Sequence, residues 1–214
     1  MILDAVVLAG GRSRRLGGLA KATLELDGEP LVARAVRIAL EAGARRVVVV
    51  GPDPGVALPV SVTFTREEPA FGGPAAAIGA GAAVLAGAGA PSAEGILLLA
   101  CDMPAAAPAV ATLVTAFASR LADGDADGVI GVDRGRRQPL LAVVRPAALV
   151  SALTAARDRG PSGLRDLALR ELLAPLRLDA VPVPEGSSDD VDEPEDLPRH
   201  GLLRPDGAEI GRTA

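Results

Sequence analysis

The strongest constraint on the fold of this 214-residue chain is a regular exchange between short β-branched runs and longer Ala/Leu segments. Strands are predicted at Leu3–Leu8, Arg46–Val50, Ser61–Thr65, Gly95–Ala100, Gly128–Val132, Leu140–Val144 and Ala180–Val183. Helices are predicted between them at Pro30–Ala42, Pro74–Ala86, Pro108–Leu121, Pro146–Arg157 and Gly163–Leu173. A proline at the first turn of a helix loses no intrahelical hydrogen bond and arrives with a suitable φ. Val47–Val50 and Ile96–Leu99 are unbroken apolar runs, as expected of strands covered on both faces. The alternation argues for a three-layer α/β/α, Rossmann-like fold around a mostly parallel sheet. Ligands of such sheets bind beyond the carboxyl ends of the strands. Four segments are thereby singled out: 8–21, 66–74, 100–104 and 189–197.

Composition removes several function classes. A net charge of −5 disfavours a general nucleic-acid binder, and 1% aromatic residues disfavours base stacking on aromatic platforms. One cysteine and one histidine exclude an internal disulfide and a Cys/His zinc site. The histidine, His200, lies in a Pro- and Arg-rich tail, far from any motif suited to His-based catalysis. There is no apolar stretch of membrane-spanning length, and Met1-Ile2-Leu3-Asp4 does not read as a signal peptide, so a cytoplasmic protein without a membrane partner is expected. A domain over 1–198 followed by a poorly ordered tail over 199–214 is the expected organisation. The 22 basic residues comprise 21 Arg and a single Lys, Lys21. A compact ammonium differs physically from a planar guanidinium, so a lysine retained in so arginine-biased a chain is a candidate functional group.

The first predicted strand runs into Leu8-Ala9-Gly10-Gly11-Arg12, with Arg14, Arg15 and Lys21 soon after. Paired glycines allow a tight turn that brings backbone N–H groups close to an anion, and the cations suit a triphosphate. The Walker pattern fails at Ala20-Lys21-Ala22, and the dinucleotide fingerprint is absent here. Asp102 follows the Ile96–Ala100 run at a strand's carboxyl end, where an aspartate commonly caps a following helix. With a second carboxylate from Asp190 or Asp192 it would meet the usual pattern for Mg²⁺, which takes one or two carboxylates plus substrate phosphates. Cys101 reads as a small buried hydrophobe.

The string Leu8-Ala9-Gly10-Gly11-Arg12…Arg15-Leu16-Gly17…Lys21, followed by Leu24 to Leu31, resembles the nucleotidyltransferase superfamily and most closely its molybdenum cofactor guanylyltransferase branch. The resemblance continues through Glu67-Glu68-Pro69…Gly73-Pro74, Cys101-Asp102-Met103-Pro104 and Asp190-Val191-Asp192 to Leu197. It implies an enzyme that uses Mg²⁺ to move a guanylyl group from GTP to the terminal phosphate of molybdopterin, releasing pyrophosphate. A molybdoenzyme or its chaperone would receive the product. The resemblance further implies that Leu8, Ala9, Gly10 and Gly11 contact the nucleotide together with Lys21, Glu68, Gly73 and Asp102. Arg15, Lys21 and Asp102 are the expected catalytic groups, and Asp102 with Asp192 the expected metal ligands. Two departures from the family pattern stand out: Gly51 lies near a position where the family has Asn, and Ala20 replaces an Asp that often precedes the lysine. Rival readings are a cytidylyltransferase or another small-phosphate nucleotidyltransferase of this fold, and a silent nucleotide- or pterin-binding protein.

Overall fold

The structure, a computed structural model, describes residues 1–10, 20–87, 92–121, 124–160, 163–192, 196 and 201–203. In chain order its elements are β1 (Leu3–Leu8), β2 (Glu25–Leu26), β3 (Glu29–Pro30), α1 (Leu31–Glu41), β4 (Ala44–Val50), β5 (Val62–Thr65), α2 (Pro74–Gly87) and β6 (Gly95–Ala100). They continue as α3 (Ala107–Arg120), β7 (Gly128–Asp133), β8 (Arg136–Val144), α4 (Pro146–Arg157), α5 (Leu169–Leu173), β9 (Leu178–Pro182) and β10 (Leu202–Leu203).

The main sheet has seven strands in the order β5-β4-β1-β6-β8-β7-β9. Every neighbouring pair is parallel except β6 with β8 and β8 with β7, so β8 alone runs against the rest. The mostly parallel three-layer fold expected from the sequence is therefore present. Side chains of a strand alternate between faces, and here that alternation builds two cores. Ala5, Val7, Val47, Val49, Leu97 and Leu99 pack with α1 and α3 residues such as Val36, Ala39, Leu113 and Phe117. Val6, Val48, Val50, Ile96 and Leu98 pack with residues of α2, α4 and α5, including Ile78, Leu149 and Leu172. Among the described residues no helix is long and apolar enough to cross a membrane.

Three departures from the predicted elements have local causes. β8 begins at Arg136, earlier than expected, because Arg134 and Gly135 both adopt positive φ (47° and 74°) and close a two-residue hairpin with β7. Turns of that kind match the right-handed twist of paired strands. The helix expected over Gly163–Leu173 is confined to Leu169–Leu173. Gly163 and Asp166 sit at positive φ (50° and 57°), which interrupts a right-handed helix, and Asp166 N–H instead donates to the Gly72 carbonyl at 2.8 Å. The small β2–β3 hairpin was not expected, although its Asp27-Gly28 turn, at φ 56° and 77°, is a strong hairpin signal. Beyond 198, Leu202–Leu203 pairs antiparallel with β2, and residues 204–214 lie outside the described residues.

Candidate active site

The strand ends meet at a cleft of about 690 Å³. The backbone leaving β1 is held from both sides: Ala9 N–H donates to the Val50 carbonyl, and Cys101 N–H donates to the Leu8 carbonyl, each at 2.9 Å. Leu8, Ala9 and Gly10 line the floor between β4 and β6. At Gly51, near the place where the resemblance implies an Asn, the backbone leaves no room for a side chain. A Cβ there would lie 2.8 Å from Ala9 C and Gly10 N, so a side chain would collide with the backbone of this first loop.

Lys21 opens a 3-10 turn, Lys21–Thr23, and reaches across the cleft. Its Nζ donates to Asp102 Oδ2 at 2.9 Å and to Asp192 Oδ1. Burial works to lower the pKa of this ammonium, but the charges and hydrogen bonds of Asp102 and Asp192 outweigh it and the net shift is upward. Asp102 is not a helix cap, because α3 begins at an Ala106 cap position with no side-chain hydrogen bond. The loop carrying Asp192 is docked on this strand end by Val191 N–H, which donates to the Asp102 carbonyl at 3.0 Å. Asp196 Oδ2 accepts the Asp192 N–H at 3.0 Å. Asp190 stays exposed, so of the two acidic candidates in this loop only Asp192 joins Lys21 and Asp102. Desolvation, with the charges of Asp192 and Asp102, pushes the Asp190 carboxyl above its ordinary range.

The opposite wall is built by Gly73 at φ 90° and the first turn of α2, with Pro74 and Ala77 facing the cleft. A helix N-terminus presents unpaired N–H groups and partial positive charge to an anion. Glu67 lines this wall and accepts the Phe71 N–H at 2.9 Å through Oε1, whereas Glu68 is exposed and is not among the lining residues. Gly11 and Arg15 lie outside the described residues.

Two carboxylates converging on one cation form an all-oxygen donor pair suited to a hard divalent ion. Among the described residues no three His, Cys, Asp or Glu groups form a complete metal cage. Such a pair suits a divalent ion whose coordination is completed by substrate phosphates and water. Cys101 is buried at the edge of the cleft, and desolvation followed by the charge of Asp102 drives its thiol well above the ordinary range, which suits packing rather than nucleophilic chemistry.

The family model of the MobA-like NTP transferase domain matches residues 5–176, a span that includes the β1 loop, Lys21 and Asp102. The chain belongs to this family. Over 103 residues it is 43% identical to a probable molybdenum cofactor guanylyltransferase of Opitutus terrae, covering 48% of this chain and 49% of that relative. The chain thus spans about half the length of that protein. It is 28% identical over 148 residues to the molybdenum cofactor guanylyltransferase of Shewanella sediminis, covering 67% of this chain and 69% of the relative. The fold is shared with molybdopterin-guanine dinucleotide biosynthesis protein A of Archaeoglobus fulgidus, at a TM-score of 0.61 and 24% identity over 92% of this chain and 96% of that one.

Several lining residues of this nucleotidyltransferase escaped the sequence reading. Phe71 carries the Arg66 guanidinium 5.2 Å from its ring centroid and occupies positive φ (62°), a conformation no pattern in its neighbours announces. Leu140 enters because β8 bulges. Ile130 pairs with Ala142, but the next β7 residue, Gly131, pairs with Gln138, so Pro139 to Leu141 are out of step with the ladder. Proline at 139, which has no N–H to give a ladder, was the available signal. Asp166 reaches the cleft through the broken helix described above.

Proposed function

We propose that this nucleotidyltransferase moves a guanylyl group from GTP to the terminal phosphate of molybdopterin and releases pyrophosphate. The observation that carries the reading is the Lys21 ammonium held between Asp102 and Asp192 at the carboxyl ends of β1 and β6. The names of the Opitutus and Shewanella relatives support the choice of substrates. A terminal phosphate is mostly ionised at neutral pH, since its second pKa is near 6, so no side-chain base is needed. An acceptor oxygen forms the bond to the α-phosphorus, the bond to the bridging oxygen breaks, and its electron pair leaves with pyrophosphate.

Each group of the cleft has a task in that reaction. The Leu8–Gly10 backbone, held in place by the Ala9 N–H bond to the Val50 carbonyl and the Cys101 N–H bond to the Leu8 carbonyl, faces the base without a side chain between them. Lys21 and the α2 N-terminus hold phosphate oxygens, and Gly11 and Arg15 are the further residues we assign to the nucleotide. Asp102 and Asp192 would hold Mg²⁺, which when bound supplies positive charge against the phosphates. A panel of GTP, CTP and ATP with molybdopterin, followed by pyrophosphate release, tests the reading. Predominant guanylyl product is expected. Predominant cytidylyl product would move the protein to a cytidylyltransferase, and no product with any nucleotide would make it a silent binder.

A further inference from the structure

The loop that delivers Asp192 is gripped from outside the cleft by the tip of the β7–β8 hairpin. Asp133, the last residue of β7, is only 1% exposed. Its Oδ2 accepts the backbone N–H groups of Gly186 and Ser188, each at 3.1 Å, and the Ser188 hydroxyl at 2.7 Å. Arg134, at the hairpin turn, donates from Nη1 and Nη2 to the two carboxylate oxygens of Asp189 at 2.6 and 3.1 Å. Its Nε donates to Glu185 at 3.2 Å. Neither Asp133 nor Arg134 lines the cleft.

Two residues beyond this grip, Val191 is fully buried and its N–H meets the Asp102 carbonyl, and the next residue is Asp192. Segment 186–192 is thus pinned at both ends, leaving little freedom for its register. Successive side chains of a non-helical segment point in different directions, so a slip of one residue would turn Asp192 away from Asp102.

We propose that Asp133 and Arg134 are positioning residues that set Asp192 opposite Asp102 and thereby tune the divalent-cation affinity of the site. The inference rests on the reading of Asp102 and Asp192 as the ligand pair. Partners that orient a ligand from behind commonly alter metal affinity by about 10-fold or more when removed. A plain structural role would instead lower thermal stability and leave cation affinity alone.

The test is a Mn²⁺ titration read by electron paramagnetic resonance in the presence of GTP, on wild type, Asp133→Asn, Arg134→Ala and Arg134→Lys. Asp4→Asn serves as control, since Asp4 is a buried carboxylate paired with Arg46 at the far end of β1. Mn²⁺ dissociation constants are expected to rise about 10-fold in Asp133→Asn and Arg134→Ala, with partial recovery in Arg134→Lys and no change in Asp4→Asn. Hydrogen exchange of the 188–192 amides should rise in the first two variants, with or without metal. Unchanged Mn²⁺ affinity and unchanged exchange in folded Asp133→Asn and Arg134→Ala would overturn the proposal. A wild-type protein that takes up no Mn²⁺ would overturn the ligand-pair reading instead, and the exchange measurement would still decide whether the grip exists.

Discussion

Lys21 is a position where even a near relative should not substitute freely. Its ammonium is a compact donor seated between two carboxylates on different loops. A guanidinium is planar and presents its donors as a fork, so in Lys21→Arg the two carboxylates and a phosphate would not converge on it in the same geometry. We expect kcat/KM to fall by about 10-fold or more, a loss of roughly 1.4 kcal/mol in transition-state stabilisation, with the fold retained. Steady-state kinetics with circular dichroism check both halves. Unchanged kinetics would make the lone lysine incidental. Gly51 gives the opposite lesson, a place where adding a side chain should do harm. The Cβ of Gly51→Asn would press on Ala9 and Gly10, backbone that lines the cleft. We expect a destabilisation of about 1–3 kcal/mol together with a raised nucleotide KM. Equilibrium urea unfolding and KM measurements test this, and a lowered KM would mean that the side chain finds room and contacts the base.

At the scale of the element, α2 is nearly apolar all round, with glycines at 79 and 81 where helix propensity argues against them. The structure supplies the reason. A Cβ on Gly81 would lie 2.6 Å from a Val6 methyl and 3.1 Å from a Val50 methyl, so the helix can approach β1 and β4 only without one. Alanine would gain about 1 kcal/mol of helix propensity, but overpacking a full core against stiff β-branched neighbours costs about 1–3 kcal/mol. The collision is with buried valines and has nowhere to relax, so Gly81→Ala should lower stability overall. Because Pro74 and Ala77 of the same helix line the cleft, a displaced α2 should also raise nucleotide KM. Thermal unfolding and kinetics read these effects, and a stabilised variant would show that the helix–sheet spacing is slack. The β7–β8 hairpin works on a different principle, since its tip acts through hydrogen bonds to the Asp192 loop instead of through packing.

Across the whole molecule, buried charge is used at both ends of the sheet, with Asp4 against Arg46 at one end and Asp133 against the 186–188 turn near the other. Burial raises the Asp133 carboxyl, but hydrogen bonds from Ser188 and Gly186 and the charge of Arg134 outweigh that effect and bring it below its ordinary value. A carboxyl with a lowered folded pKa contributes stability above its unfolded pKa, about 3.9, and that contribution is lost as pH falls through the folded value. Wild type should therefore lose more stability than Asp133→Asn between pH 7 and pH 3, as measured by urea unfolding at each pH. Equal losses would mean that Asp133 does not titrate differently on folding. The sequence alone determined the layered fold, because apolar runs with strand and helix periods leave few ways to bury both faces of a sheet. It also pointed to the strand ends where the cleft lies, and with the family resemblance it singled out Lys21 and Asp102, which meet there. Only the tertiary structure brought Asp192 rather than Asp190 to Lys21, placed Glu67 rather than Glu68 in the cleft, and revealed the hold of Asp133 and Arg134 on a loop some 50 residues later. Those choices depend on backbone hydrogen bonds and positive-φ turns between segments distant in the chain, and no local pattern of residue types encodes which way such a loop will face.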